Sequence, residues 1–288
     1  MPSFSICPVT GEVSVSENSA TEMIKRIGPS LVVASALGST LGIVVAQFLD
    51  DLGDGILAEI LGGDAVLFNN RVEFTGATDV AWAGGFLLCL IVGFLALFSY
   101  PTARGHGVAR LTLLWMVLHL LRQAFFQAVL VPLDEASELA LAYQTLDAPA
   151  GLEYVLAAGG GVGLLLVALS AASAFLAFTP NQKLISTGRK RLNFAFWIAL
   201  VPAIAAMFLA IPFFVPDAGS GVIPALPLTA VIFIATVAAA PGTTTVFGPE
   251  EHRESAWPWG LGVTLIVILL FDQLVLRGGV SVDPTRWG

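Results

Sequence analysis

Three carboxylates, Asp50, Asp51 and Asp54, follow directly on an apolar run in the stretch FLDDLGDGILAEILGG. On a helix, residues four apart are neighbours on one face, so Asp50 and Asp54 converge on a single point. Asp51 is turned about 100° from Asp50. Two carboxylates at this spacing are hard oxygen donors, suited to Ca²⁺, Mg²⁺ or Mn²⁺ rather than to zinc. Asp134, in VPLDEASE at the end of a later apolar run, is the candidate third ligand. A plainer expectation competes with a divalent cation site: three solvated residues at the outer end of a membrane span. Carboxylates this close cannot all stay ionised and dry, so they share a proton, bind a cation or remain wet.

A second polar set lies in RLTLLWMVLHLLRQAFFQAVLVPLD, where His119, Gln123 and Gln127 recur four residues apart with Arg122 adjacent. Ionisable groups inside a bilayer are costly, and they are kept for function or for pairing. Arg122 therefore calls for a carboxylate, and Asp272 in LLFDQLVL is the expected partner, within salt-bridge or one-water distance. His119 has no second histidine near it in sequence, which makes it a weak candidate for haem or metal ligation. His106 and His252 are expected in solvated loops.

The elements that position these groups follow from composition. The 288-residue chain is 56% hydrophobic and 12% charged, with mean hydropathy +0.85, whereas soluble domains are about a quarter charged. Apolar runs near the ~20 residues needed to cross a bilayer recur along it. Seven spans are predicted, roughly Ile27–Leu49, Val80–Tyr100, Leu111–Pro132, Tyr154–Phe178, Phe194–Val215, Val222–Ala240 and Trp257–Leu276. Each must be helical, because backbone groups in lipid have to bond internally. The fold class is an all-α polytopic membrane protein of six to seven transmembrane helices, with residues 27–278 as the membrane domain. The polar segment 1–26 lacks an apolar stretch and reads as a cytoplasmic tail rather than a signal peptide, and 279–288 reads as a C-terminal tail.

Cytoplasmic loops collect Lys and Arg. With the N-terminus inside, nine basic residues (Lys25, Arg26, Arg104, Arg110, Lys183, Arg189, Lys190, Arg191, Arg253) fall on the inner side and three (Arg71, Arg277, Arg286) on the outer. This favours a cell-membrane protein with a cytoplasmic N-terminus and acidic outer loops. Trp257, Trp259 and Trp287 fit interfacial belts. The lipid bilayer is the implied partner. A net charge of −8 argues against nucleic acid, whose phosphates need basic patches. Cys7 and Cys89 are too far apart in sequence to suggest a disulfide or thiolate site. AAGGGVG, at Ala157–Gly163, has no P-loop lysine after it and reads as close helix packing through small residues. Pro202, Pro212, Pro224 and Pro227 should bend the fifth and sixth spans.

The first loop is predicted to hold a β-hairpin over about residues 64–76. Ala65–Phe68 and Arg71–Phe74 are rich in β-branched and aromatic residues. Asn69-Asn70 between them suits a two-residue turn at positive φ.

Taken in order, a helix with an acidic mouth, Gly62-Gly63, a hairpin and a span opening on Ala83-Gly84-Gly85 resemble the site-2 protease family of intramembrane metalloproteases over about fifty residues. The family's H-E-x-G-H motif falls on Asp50, Asp51, Leu52, Gly53 and Asp54, and its following alanine on Ala58. The resemblance implies metal ligands at Asp50 and Asp54, a later carboxylate for which Asp134 is the nearest stand-in, and Asp51 at the general-base position. Both family histidines are aspartates here, and Asp51 is one methylene shorter than the glutamate it replaces. Misplacement of about 1 Å can cost ~100-fold. The expectation is a non-proteolytic binding or partner subunit, a pseudoprotease associated with another membrane protein, without zinc. The alternatives are a cation-linked transporter or channel, and an active protease with aspartate ligands.

Overall fold

The computed structural model describes residues 24–102, 107–215, 222–243 and 257–283. Cys7, His106, His252, Arg104, Arg253, Arg286 and Trp287 lie outside them. The first long helix, α1 (Pro29–Ile60), opens with Pro29 in its first turn, where the missing N–H costs no internal bond. Its 32 residues run about 48 Å at 1.5 Å per residue, well beyond the ~30 Å hydrocarbon core. Gly62, at φ 86°, then turns the chain back, as only glycine does without strain.

The hairpin follows as β1 (Asp64–Leu67) and β2 (Val72–Thr75), antiparallel from Asp64 opposite Thr75 to Leu67 opposite Val72. Its turn differs from expectation. Among the described non-glycine residues only Asp147 has positive φ, so Asn69 and Asn70 do not form the mirror-image turn. Tertiary contacts decide instead: Asn69 Nδ2 donates to the Val215 carbonyl at 3.1 Å and Asn70 Nδ2 to that of Phe214 at 3.2 Å. A third strand, β3 (Val280–Ser281), pairs with the free edge of β1. It lies in the segment expected to be a tail.

The remaining helices are α2 (Gly84–Ser99), α3 (Val108–Leu130), the short α4 (Glu138–Thr145), α5 (Leu152–Leu176), α6 (Gly188–Phe213), α7 (Val222–Ala239) and α8 (Trp259–Leu274). Six helical segments are long and apolar enough to cross a membrane. At the place of the predicted sixth span the described residues hold only a shorter apolar helical stretch, Thr229–Gly242. β3 brings the end of α8 beside the end of α1. Outward rows such as Leu87, Ile91, Leu95 and Phe98 on α2, or Val263, Ile266, Val267 and Leu270 on α8, are exposed large apolar residues. Faces of that size fit lipid, not water.

α1 and α3 form the centre. In the most apolar stretch of each, 61% of residues are buried, against 28% for α2 and α5 and 17% for α8. α3 also packs on α2 and α5, and α1 on α2 and α6. Gly160 and Gly163 of α5 lie against Phe125 of α3, where an added Cβ would meet the Phe125 carbonyl oxygen at 2.5 Å or its ring at 2.7 Å. The glycine-rich stretch is thus a packing surface, as expected.

One polar tie crosses the apolar core. Pro202 cannot donate to the carbonyl of Ile198, four residues before it, and a π turn (Phe196–Leu200) precedes it. The Ser35 hydroxyl donates to that carbonyl at 2.6 Å and accepts from Trp115 Nε1 at 2.9 Å. α1, α3 and α6 are joined by this chain of bonds, which meets a proline's freed backbone group inside the bundle. Ser35→Ala is expected to orphan two buried groups and to cost about 2 kcal/mol. In thermal unfolding in detergent, Trp115→Phe should cost less in the Ser35→Ala background than alone.

Candidate functional site

The acidic residues at the far end of α1 are not solvated. Asp50 is 2% exposed, Asp51 5% and Asp54 1%. The expectation of three wet residues at a span's outer end is therefore corrected: α2, α3 and α4 close over them. As the i, i+4 spacing requires, Asp50 and Asp54 share the face of α1 turned to its neighbours.

Asp50 meets α3. Gln123 Nε2 donates to its Oδ2 at 2.7 Å, and Gln127 Nε2 donates to its Oδ1 and Oδ2 at 2.9 and 3.0 Å. Asp54 meets α2, its Oδ1 accepting from the Gly85 backbone N–H at 2.6 Å. A carboxylate at a helix N-terminus satisfies an orphan donor and faces the positive end of the helix dipole. Asp51 accepts from Gln47 Nε2 of its own helix at 3.2 Å.

This arrangement depends on three glycines. Gly53 of α1 touches Gly84 backbone to backbone, and a Cβ at Gly85 would lie 2.6 Å from the Asp50 carbonyl oxygen. No side chain fits between the two helices there, so the Asp54 carboxylate reaches the start of α2 directly.

Arg122 supplies positive charge at one remove. Its Nη2 donates to Gln123 Oε1 at 2.7 Å and its Nη1 to Thr229 Oγ1 of α7 at 2.6 Å. The expected pairing with Asp272 is not formed. Among the described residues Asp272 is held only by Gln273 Nε2, at 3.2 Å, because α8 packs chiefly on α1 and α3 lies behind it. His119 stands apart from the carboxylates: its Nε2 is 3.0 Å from Ser39 Oγ, and its ring stacks on Trp115. Gln127 Oε1, Arg122 Nε and His119 Nδ1 are buried without a hydrogen-bond partner.

Asp134 does not join the cluster. It is exposed, and its Oδ1 accepts from the Ala136 N–H within its own turn at 3.1 Å. The carboxylate that does join is Glu138, in the first turn of α4, whose Oε2 accepts from Gln127 Nε2 at 3.2 Å. Burial, reinforced by the negative charge of Asp50, pushes the Glu138 carboxyl up to about 8 from its ordinary 4.5. The fold then holds this proton more tightly than the unfolded chain does. Its contribution to stability is whole below about pH 4.5 and is lost as pH rises towards about 8. Unfolding temperature in detergent should fall across that window, and Glu138→Gln should flatten the fall.

The donor set does not fit the metal that the site-2 protease resemblance implies. Asp134 is outside it, Asp50 is taken up by two glutamine amides, and Asp54 by a backbone N–H. Among the described residues no three His, Cys, Asp or Glu side chains are placed to hold a metal ion together.

A cleft lies beside the cluster, about 210 Å³ in volume, between α1, the hairpin, the end of α6 and α8. Gln47 lines it and also donates to Asp51. Asp272 lines it from α8, so polar groups run from the cleft through Gln47 to Asp51. A separate chain of hydrogen bonds runs from Asp50 through Gln123 and Arg122 to Thr229. No protein-family model matches this chain, and neither a curated protein nor a solved structure matches it.

Proposed function

We propose that this chain is a multi-pass protein of the cell membrane, N-terminus cytoplasmic, that takes up and releases protons at the Asp50–Asp51–Asp54–Glu138 cluster as part of cation-linked transport. The observation that carries this reading is the imbalance of buried charge. Asp50, Asp51 and Asp54 are buried together, with the half-buried Glu138 at their edge and one guanidinium near, and a low-dielectric interior does not tolerate that excess of negative charge unless protons or a cation make up the difference. The line from the cleft through Gln47 to Asp51 gives such a charge a way in, and intramembrane acid groups in contact with polar neighbours are the common form of a proton relay.

The test uses the purified full chain in proteoliposomes with an entrapped pH dye. An imposed membrane potential should drive proton entry faster than in empty vesicles, and Asp50→Asn should reduce the rate at least tenfold. Equal rates in the variant and parent, or in loaded and empty vesicles, would reject the reading.

A second reading keeps the site-2 protease resemblance, and the order of elements favours it. The acidic helix, Gly62-Gly63, the hairpin and the Gly84-Gly85 start of α2 follow one another as in that family. On this reading the chain is a non-proteolytic partner subunit that binds another membrane protein, and Asp51 has catalytic meaning only in an active aspartate-ligated protease. Incubation with a membrane-embedded peptide distinguishes these: hydrolysis lost in Asp51→Asn would establish the protease, and absence of hydrolysis leaves the partner role.

A further inference from the structure

Asp272 is 5% exposed, lies in a predicted span, and has no cation beside it among the described residues. Its one hydrogen bond is to the neighbouring Gln273 amide, on Oδ2. Gln47 and Asn69 are the other polar residues of the wall, which is mainly aromatic and aliphatic: Phe48, Phe213, Phe214 and Phe271 with Val44 and Ile268. A carboxylate held in such surroundings is expensive. The hairpin tie of Asn69 and Asn70 to the end of α6 fixes the cleft's outer wall, so the cleft is built and does not depend on loose loops.

We infer that this cleft binds a small organic cation, an ammonium group with an apolar body, with Asp272 as counter-ion. Phenylalanine is one of the residues whose ring faces attract organic cations, an effect of about 0.5–2 kcal/mol per ring according to desolvation. The volume of about 210 Å³ is below the ~300–1,000 Å³ of drug-sized sites, so the ligand is small. A hydrated metal ion would waste the aromatic wall, and a neutral apolar molecule would leave the carboxylate unanswered. The same chemistry could come from a free amine or from the choline headgroup of a lipid. The name substrate for this ligand rests on the transport reading above. Binding itself does not.

The experiment is equilibrium binding of radiolabelled benzyltrimethylammonium to the full-length protein, in detergent and in nanodiscs. Saturable binding at one per chain is expected, weakened at least tenfold in Asp272→Asn, a variant whose shape is preserved. Its thermal unfolding should match the parent, and Asp134→Asn, at an exposed residue outside the cleft and the cluster, should bind as the parent does. The neutral isostere neopentylbenzene should compete at least tenfold more weakly. Suppression in phosphatidylcholine nanodiscs but not in phosphatidylglycerol nanodiscs would identify the lipid headgroup as the source, and equal binding in both would identify a free amine. No saturable binding, unchanged binding in Asp272→Asn, or equal competition by the neutral compound would overturn the inference. Loss of cleft binding with proton entry intact would sink this proposal alone, and the converse would sink only the transport reading.

Discussion

Gly84→Val is expected to separate α2 from α1 and expose the carboxylate cluster. A Cβ at Gly84 lands against the Gly53 carbonyl and 2.9 Å from the Asp54 Cα, and the obstacle is backbone on every side. Overpacking an ordinary core costs about 1–3 kcal/mol because side chains move aside. Here nothing can turn away, so the helices themselves must part, and the Asp54 bond to the Gly85 N–H is lost with them. Cys89 is the reporter. It is fully buried on α2, with Sγ 3.4 Å from the Ala46 carbonyl oxygen of α1. In a Cys7→Ser background, maleimide labelling of Cys89 should rise at least tenfold in Gly84→Val and little in Ser35→Ala. Labelling no faster than in the parent would mean that the glycine contact is not what seats α2.

Arg122→Met is expected to produce the second large effect, through charge rather than shape. The guanidinium is 7% exposed and serves the carboxylates through the Gln123 amide. Removing one member of a buried charge arrangement typically costs about 3–5 kcal/mol, since the remainder is left uncompensated. Asp50→Asn removes the charge that Arg122 balances, so the double variant should recover a good part of the loss. A double-mutant cycle measured by thermal unfolding in detergent reads the coupling. If the two losses simply added, Arg122 and Asp50 would be independent and the relay through Gln123 would have no energetic content.

Much of this architecture was legible in the sequence because it depends on length and period. Six of the seven predicted apolar runs are helices long enough to cross a bilayer and the other is a shorter one, and the four-residue spacing of Asp50 and Asp54 placed those two carboxylates on one face. His119, Gln123 and Gln127 all turn towards α1, as their spacing implied, but to different partners: Ser39 for the first and Asp50 for the other two.

Other features depend on how elements meet, which no local pattern carries. In DEASE, the choice of Glu138 over Asp134 is made by the turn after α3 and by where α4 starts. Matching Arg122 to Asp272 by sign ignored that α8 lies against α1. Arg122 finds a neutral threonine on α7 instead. β3 is two residues long and paired to a strand over two hundred positions earlier, so it had no period to read.

That short strand sets an order of events during synthesis. β1 is complete with β2 as soon as the first loop emerges, but its other edge, at Val66 and Leu67, waits for Val280 and Ser281. An unpaired edge is a template for any passing strand, and here it stays open until the chain beyond α8 has been made. A chain truncated before residue 280 would therefore keep all the helices through α8 and leave its sheet unsealed. Two residues that follow the eighth helix close a surface laid down by the first loop.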